Sequence, residues 1–237
     1  AALAEGVAFF DTAAIYGDGM AEELLGRVLA RREGNHIVCT KGGWGPTSGF
    51  MSDPRAIGTQ ARASRARLQV EAIDVYLLHN VPPHLLGIAD LYGPLLRLRD
   101  EGIVRHLGVS VVRARDAWLA LDRPEIEVIE LPYNFAHIEA DPLLPRLYRA
   151  GKGLIVREAL ASGLVADRAG FGTGDFRAAL PPEVFAAVRE AKQAMAPYRR
   201  EGEDWVDFAL RFVLDRPEVA CVLVGARRPE QVRAFGR

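Results

Sequence analysis

Ile73-Asp74-Val75-Tyr76-Leu77-Leu78-His79 is a short, almost unbroken apolar run that closes on an ionisable residue. Such a run predicts a β-strand. Near-continuous apolarity predicts burial on both faces, as in a parallel sheet covered by helices. Pro82-Pro83 follows, and a helix is expected from there to about Arg99. The same unit recurs in both directions. Residues 7–11, Val-Ala-Phe-Phe-Asp, precede helical spacing over residues 21–32 through Leu24, Leu25, Val28 and Leu29. Residues 37–41, Ile-Val-Cys-Thr-Lys, lead into a Gly/Pro loop, Gly42-Gly43-Trp44-Gly45-Pro46, and then a helix from Pro54 to Leu68. Ser52-Asp53-Pro54 is a start signal for that helix, with proline at its first position.

Downstream, strands are expected at residues 105–109, 127–131, 153–157 and 219–224. Helices are expected at 114–121, 143–149, 182–198 and 205–216, the third after a connection carrying Gly170, Gly172 and Gly174. Seven β/α steps predict an α/β fold, a (β/α)8 TIM barrel without its first strand, forming one domain over residues 1–237. The competing architecture is an open doubly wound sheet. It would place Gly-x-Gly-x-x-Gly directly after an early strand, and Gly42-Gly43-Trp44-Gly45 lacks that spacing. Ala1-Ala2-Leu3-Ala4-Glu5-Gly6 reads as a helix tail ended by a C-cap glycine, and residues 234–237 as the first turns of another helix.

Composition narrows the function classes. Lys+Arg 30 against Asp+Glu 31 gives a formal net charge of -1, which argues against a general nucleic-acid or membrane-surface binder. Two cysteines, Cys39 and Cys221, lie in strand-like runs and read as free buried thiols of a reducing compartment. With no transmembrane stretch or signal peptide in the sequence, a cytoplasmic location is the expectation. No Cys/His/Asp cluster has metal-ligand spacing, and no Ser-His-Asp set is indicated.

Asp11, Lys41 and His79 close three successive strands, and Tyr16 lies five positions beyond Asp11 in the following loop. Barrels of this kind place chemistry at the C-terminal ends of their strands. An acid, a phenol, an amine and an imidazole meeting there have the means to move a proton to a carbonyl oxygen. Each residue alone has a plainer reading: Asp11 capping a turn, Tyr16 a loop aromatic, Lys41 a solvated strand end, His79 a satisfied core histidine. Gly225-Ala226-Arg227-Arg228-Pro229-Glu230-Gln231 sets two arginines where a phosphate site or a solvated basic turn is expected. Trp44, Pro46 and Phe50 either wall a substrate pocket or belong to a loop packed on itself.

Phe9-Phe10-Asp11-Thr12-Ala13, Tyr16-Gly17, Glu22-Glu23-Leu24-Leu25-Gly26, Thr40-Lys41, Leu77-Leu78-His79 and Gly108-Val109-Ser110 resemble motifs of the aldo-keto reductases. So do Pro132-Tyr133-Asn134, Leu160-Ala161-Ser162-Gly163 and Gly225-Ala226-Arg227. The resemblance runs in order over essentially the whole chain. It implies a (β/α)8 barrel that interconverts a small-molecule carbonyl and its alcohol with NADP(H), NAD(H) being the other candidate. It assigns Tyr16 as general acid/base, with Asp11 holding Lys41, Lys41 lowering the phenol's pKa, and His79 orienting the carbonyl oxygen. It also implies cofactor contacts at Ser110, Glu130, Arg157, Leu160, Ser162, Gly163, Gly225, Arg227 and Gln231, with Trp44 on the substrate side. Arg227 and Gln231 would meet the adenosine 2′-phosphate. For Leu160–Gly163 an ordinary turn competes with a loop along the pyrophosphate.

Three positions depart from the family pattern. Val111 stands where a polar partner of the carboxamide is usual, Glu130 where glutamine is usual, and Arg157 where an aromatic stacks on the nicotinamide. Arg157 is expected to stack as a planar guanidinium or to pair with Glu130. These departures keep a second class open: an impaired or fragmentary barrel acting as a cofactor-binding or regulatory subunit. A barrel short of one strand would also expose two sheet edges.

Overall fold

A computed structural model describes residues 1–31, 34, 36–45, 49–50, 53–166 and 174–235. The parallel sheet is built from β1 (Phe9–Asp11), β2 (Ile37–Gly42), β5 (Ile73–His79), β6 (Val104–Ser110), β7 (Val128–Pro132), β8 (Gly153–Arg157) and β9 (Cys221–Val222). A two-stranded antiparallel hairpin, β3 (Trp44–Gly45) and β4 (Gly49–Phe50), rises from the end of β2. The sheet order is β1-β2-β5-β6-β7-β8-β9, so each sheet strand lies beside the next one in the chain. This is the barrel progression, not the reversal of a doubly wound sheet.

The sheet curls. Strands sit about 4.8 Å apart, so β2 and β7, three places apart, would be separated by roughly 14 Å in a flat sheet. Yet Lys41 Nζ on β2 lies 3.2 Å from Glu130 Oε2 on β7. The two ends of the chain meet as well. A 3₁₀ turn at Ala2–Glu5, capped by Gly6 in the left-handed region (φ 79), approaches helix α8 (Pro229–Phe235) through Glu5 and Arg233 at 3.7 Å.

Strand alternation divides the side chains. Outward residues Val38, Tyr76, Leu78, Val109, Ile129, Leu131, Leu154 and Val156 form the main core with the helices. Inward residues Cys39, Val75, Leu77 and Ile155, with Phe9, Val128, Cys221 and Leu223, fill the barrel. Gly108 belongs to the inward layer because the space there is already taken: a Cβ would stand 2.1 Å from the Val128 carbonyl oxygen and 2.6 Å from a Leu77 methyl. Gly108→Ala must therefore part β6 from β7. A loss of about 3 kcal/mol is expected, lowering Tm by roughly 6–12 °C for a chain of this size.

The expected elements at residues 73–79 and 153–157 match β5 and β8, and α2 spans Pro54–Leu68 as expected, with Asp53 accepting from the Arg55 N–H at 2.9 Å. Ser52, the other half of that start signal, lies outside the described residues, as do Pro46, Gly170 and Gly172. Several expectations are corrected. The helix expected from Pro82-Pro83 to Arg99 is three pieces, α3 (Pro83–Leu86), a 3₁₀ turn (Ala89–Leu91) and α4 (Gly93–Asp100). Gly87 ends the first piece and Gly93-Pro94 starts the last. The helix expected at 114–121 is a 3₁₀ segment, Ala114–Ala120. The one expected at 182–198 ends as α6 (Pro182–Met195), and Pro197 lies in the 3₁₀ turn that follows. The first helix is α1 (Met20–Leu29), and the Gly/Pro loop after Lys41 contributes to the hairpin. The remaining helices are α5 (Leu144–Arg149) and α7 (Trp205–Leu214). Among the described residues no helix is long and apolar enough to cross a membrane.

Candidate active site

At the C-terminal ends of the strands, the inward positions are polar: Asp11, Lys41, His79, Ser110, Glu130 and Arg157. Each stands two residues beyond an inward position of the preceding layer, so alternation alone aims all of them at the barrel mouth.

Lys41 is at the centre and is buried. Two of its N–H donors have acceptors, the Asp11 carboxylate and the Thr12 carbonyl at 3.2 Å, and Glu130 Oε2 faces the ammonium as an ion pair at 3.2 Å. The two carboxylates overcome burial and hold the ammonium well above its ordinary pKa. Glu130 also accepts from the Ser110 hydroxyl at 2.8 Å. Burial pushes the Glu130 carboxyl up, against the pull of Lys41.

Tyr16 reaches this cluster through a loop pinned to β2. Thr12 and Ala14 donate to the carbonyls of Cys39 and Lys41 at 2.9 and 3.0 Å, and the Tyr16 N–H donates to Ala13 at 3.0 Å. Lys41 Nζ is 5.9 Å from the centre of the Tyr16 ring. The His79 ring meets Tyr16 edge-on, with centroids 6.0 Å apart. Phenol, amine and imidazole thus converge at one place, with Asp11 behind the amine. Tyr16 is 45% exposed, and its hydroxyl bonds to none of the described residues.

One electrostatic expectation is corrected. Lys41 does pull the Tyr16 pKa down, but burial outweighs it and the phenol ends above its ordinary value. Asp11 and Glu130, which share Lys41, push the same way as burial. His79 moves in the opposite sense, to about 4, through burial and then the fields of Lys41 and Arg157. Its imidazole is neutral at physiological pH, and its Nδ1 is buried without a partner among the described residues. The His79 proton signals should therefore stay flat in an NMR titration from about pH 8 to 5. A folded pKa below the unfolded 6.5 means that stability from this group is held above 6.5 and lost as pH falls from there through about 4. A titration centred near 6.5 in the folded protein would contradict this.

Arg157 is less available than expected. Its Nη2 donates to the Val111 and Val112 carbonyls at 2.9 and 3.2 Å, and its Nη1 pairs with Glu158. Its contact with Glu130 is longer, 3.8 Å from Nε. Val111 is fully buried. Trp44 pairs with Phe50 across the hairpin and is half-buried.

From Glu158 a cleft of about 590 Å³ leads away from the barrel mouth. Leu160, Ser162, Gly163, Gly225, Arg227 and Gln231 all line it, as does Arg228. The loop on one side is strained: Glu158, Ala161 and Ser162 have φ of 60, 45 and 56, with Gly163 next at 82. Non-glycine residues held there cost about 1–3 kcal/mol each and cluster at ligand clamps. On the other side, the Gln231 amide oxygen accepts from the N–H groups of Arg227 and Arg228 at 2.8 and 3.1 Å and so shapes the turn.

Arg177 is the cleft residue that sequence reasoning missed. It is buried, its Nη1 donates to the Ser162 carbonyl at 3.3 Å, and Asp175 grips its guanidinium through two bonds of 2.8 and 2.5 Å. A Cβ on Gly163 would stand 2.9 Å from the same Nη1. The available signal was Asp175-Phe176-Arg177, in which an aspartate caps the turn carrying its own ion-pair partner.

Comparison with known proteins bears on the family and the fold. The sequence profile described as the aldo/keto reductase family matches residues 1–235. L-galactose dehydrogenase of Arabidopsis thaliana is 27% identical over 241 residues, covering 96% of this chain and 72% of that protein. Among solved structures, the aldo-keto reductase AKR11C1 of Bacillus halodurans in its holo form superposes with a TM-score of 0.81 at 26% identity, over 99% of this chain and 77% of the other. The glycerol dehydrogenase AKR11B4 of Gluconobacter oxydans also gives 0.81, at 28% identity over 99% and 76%.

Proposed function

Since this chain belongs to the aldo/keto reductase family of oxidoreductases, we propose that it interconverts a small aldehyde, ketone or sugar carbonyl and its alcohol with NADP(H), Tyr16 moving the proton. The observation that carries this reading is the convergence of Tyr16, Lys41 and His79 at the ends of the barrel strands, in a chain that also has a cleft lined by Arg227 and Arg228. The cleft fits a dinucleotide in kind: a loop with strained backbone and the guanidinium charges of Arg227 and Arg228 both contribute to its lining.

Bound NADPH would supply the hydride. Tyr16 gives its proton to the carbonyl oxygen in reduction and takes one back in oxidation. A phenol raised above its ordinary pKa is protonated throughout the neutral range, which favours the reductive direction there and moves alcohol oxidation to alkaline pH. Neutral His79 hydrogen-bonds the carbonyl oxygen and sets its position. Lys41, held by two carboxylates, stays charged and favours the phenolate as the proton leaves. Arg227 and Gln231 would hold the 2′-phosphate, and Ser162 and Gly163 the pyrophosphate.

A second reading is a barrel that binds the cofactor with little turnover. It draws on one observation, the second carboxylate on Lys41. Titrating the protein with NADPH by fluorescence quenching, followed by an aldehyde panel, separates the two. Binding with turnover supports the reductase, binding without turnover supports the second reading, and a folded protein that does not bind refutes both. In the same assay, Arg227→Ala should weaken NADPH roughly tenfold or more and leave NADH nearly unchanged.

A further inference from the structure

Glu130 is buried three sheet positions from Lys41, yet touches it because the sheet curls. One oxygen accepts from Ser110. The other lies 3.2 Å from the ammonium and has no hydrogen bond among the described residues. A single buried ammonium thus serves two carboxylates, Asp11 and Glu130, beside the phenol that it would activate. A Lys41 paired with Asp11 alone would leave more of its field for Tyr16. Asp11 and Glu130 both push the phenol's pKa up, against the pull of Lys41.

We propose that Glu130 is a positioning residue for proton transfer: by sharing Lys41 with Asp11 it offsets the ammonium's field at Tyr16, keeps the phenol protonated and biases the site toward carbonyl reduction. This rests on the reading of Tyr16 as the acid/base group. The surrounding charged and titratable groups are Lys41 from β2, Asp11 from β1, Arg157 from β8 and His79 from β5, with Ser110 from β6 as hydrogen-bond donor. Tyr16, Cys39 and Cys221 feel the same carboxylate. Arg157 offsets Glu130 weakly, since it is 3.8 Å away and is also held by Glu158.

The test reads Tyr16 itself. The ultraviolet tyrosinate signal of the protein minus that of Tyr16→Phe isolates one phenol and needs neither cofactor nor substrate. Glu130→Gln keeps the shape and the bond from Ser110 but removes the charge. It should give roughly tenfold more Tyr16 phenolate at a fixed alkaline pH below the midpoint. Glu130→Asp, which keeps the charge, should stay near the parent. In turnover, Glu130→Gln should shift both the fall of reduction and the rise of oxidation to lower pH. An unmoved Tyr16 titration in a folded Glu130→Gln protein, or equal shifts in both variants, would overturn the proposal. If Glu130→Gln does not fold, Glu130→Met is read in the same way: a Tyr16 midpoint below that of the parent supports the proposal, and an unmoved one overturns it. A chain that moves Tyr16 as stated yet reduces no carbonyl would refute the function and leave this electrostatic link standing.

Discussion

Tyr16→Phe lowers kcat for carbonyl reduction by about 10²–10⁴, the range lost when a positioned general acid is removed. NADPH affinity should change less than about twofold, because the hydroxyl lies at the barrel mouth and not in the cleft lined by Arg227. The substitution is structurally mild. Tyr16 is 45% exposed and its hydroxyl makes no bond to a described residue, so Tm should stay within about a degree or two of the parent. Lost turnover with unchanged binding and melting is the pattern that assigns the proton to this phenol. Retained turnover would place the acid elsewhere, and His79 is unsuited to replace it because its imidazole is neutral down to about pH 4.

The largest stability effect is expected at Arg67→Ala. Glu22 of α1 is fully buried, accepts from Thr40 Oγ1 at 2.5 Å and from Arg67 Nε at 2.7 Å, and lies 2.6 Å from Arg67 Nη2 in the same ion pair. Arg67 is the only cation on that carboxylate among the described residues. Its removal leaves a buried charge compensated by one hydroxyl, a loss of about 3–5 kcal/mol. For a chain of this length that lowers Tm by roughly 6–20 °C. The guanidinium also sits against Gly19, where a Cβ would stand 2.7 Å from its Nε, and Gly19 caps α1 just after Tyr16. Activity should therefore fall with stability. Apolar replacement of both partners, Glu22→Leu with Arg67→Met, should recover most of the loss, because the cost lies in the unpaired charge. A double variant as unstable as Arg67→Ala would contradict this.

The fold was legible where a strand is an apolar run punctuated by loop residues. Ile73–His79 and Gly153–Arg157 needed only their own composition. That Asp11, Lys41 and His79 stand together at strand ends was legible from their place at the close of three apolar runs, but their inward aim was not, since strands apolar on both faces do not mark which face is which. Contacts created by curvature were not legible. Nothing near Lys41 in the chain points to Glu130, 89 positions later (130 − 41), and the expected Arg157–Glu130 pair is the weaker contact. Alone, the Tyr16-to-Lys41 spacing suggests a lowered phenol pKa, whereas burial, with Asp11 and then Glu130 acting in the same sense, leaves it raised. The helix after Pro83 failed for a local reason, since Gly87 and Gly93-Pro94 break a pattern that apolar spacing alone would continue. Arg177 was missed because its role depends on the loop at Ser162 and Gly163, which it reaches only in the folded chain.

The proposed reaction is hydride transfer to a carbonyl with Tyr16 supplying the proton. The most direct measurement uses NADPH carrying deuterium at the transferable C4 position, a small aldehyde panel and mass spectrometry of the products. The expected product is an alcohol labelled at the former carbonyl carbon with the parent protein, and almost none with Tyr16→Phe at equal cofactor saturation. A folded, NADPH-saturated parent protein that yields no labelled alcohol, or a Tyr16→Phe protein that labels it equally fast, would contradict it.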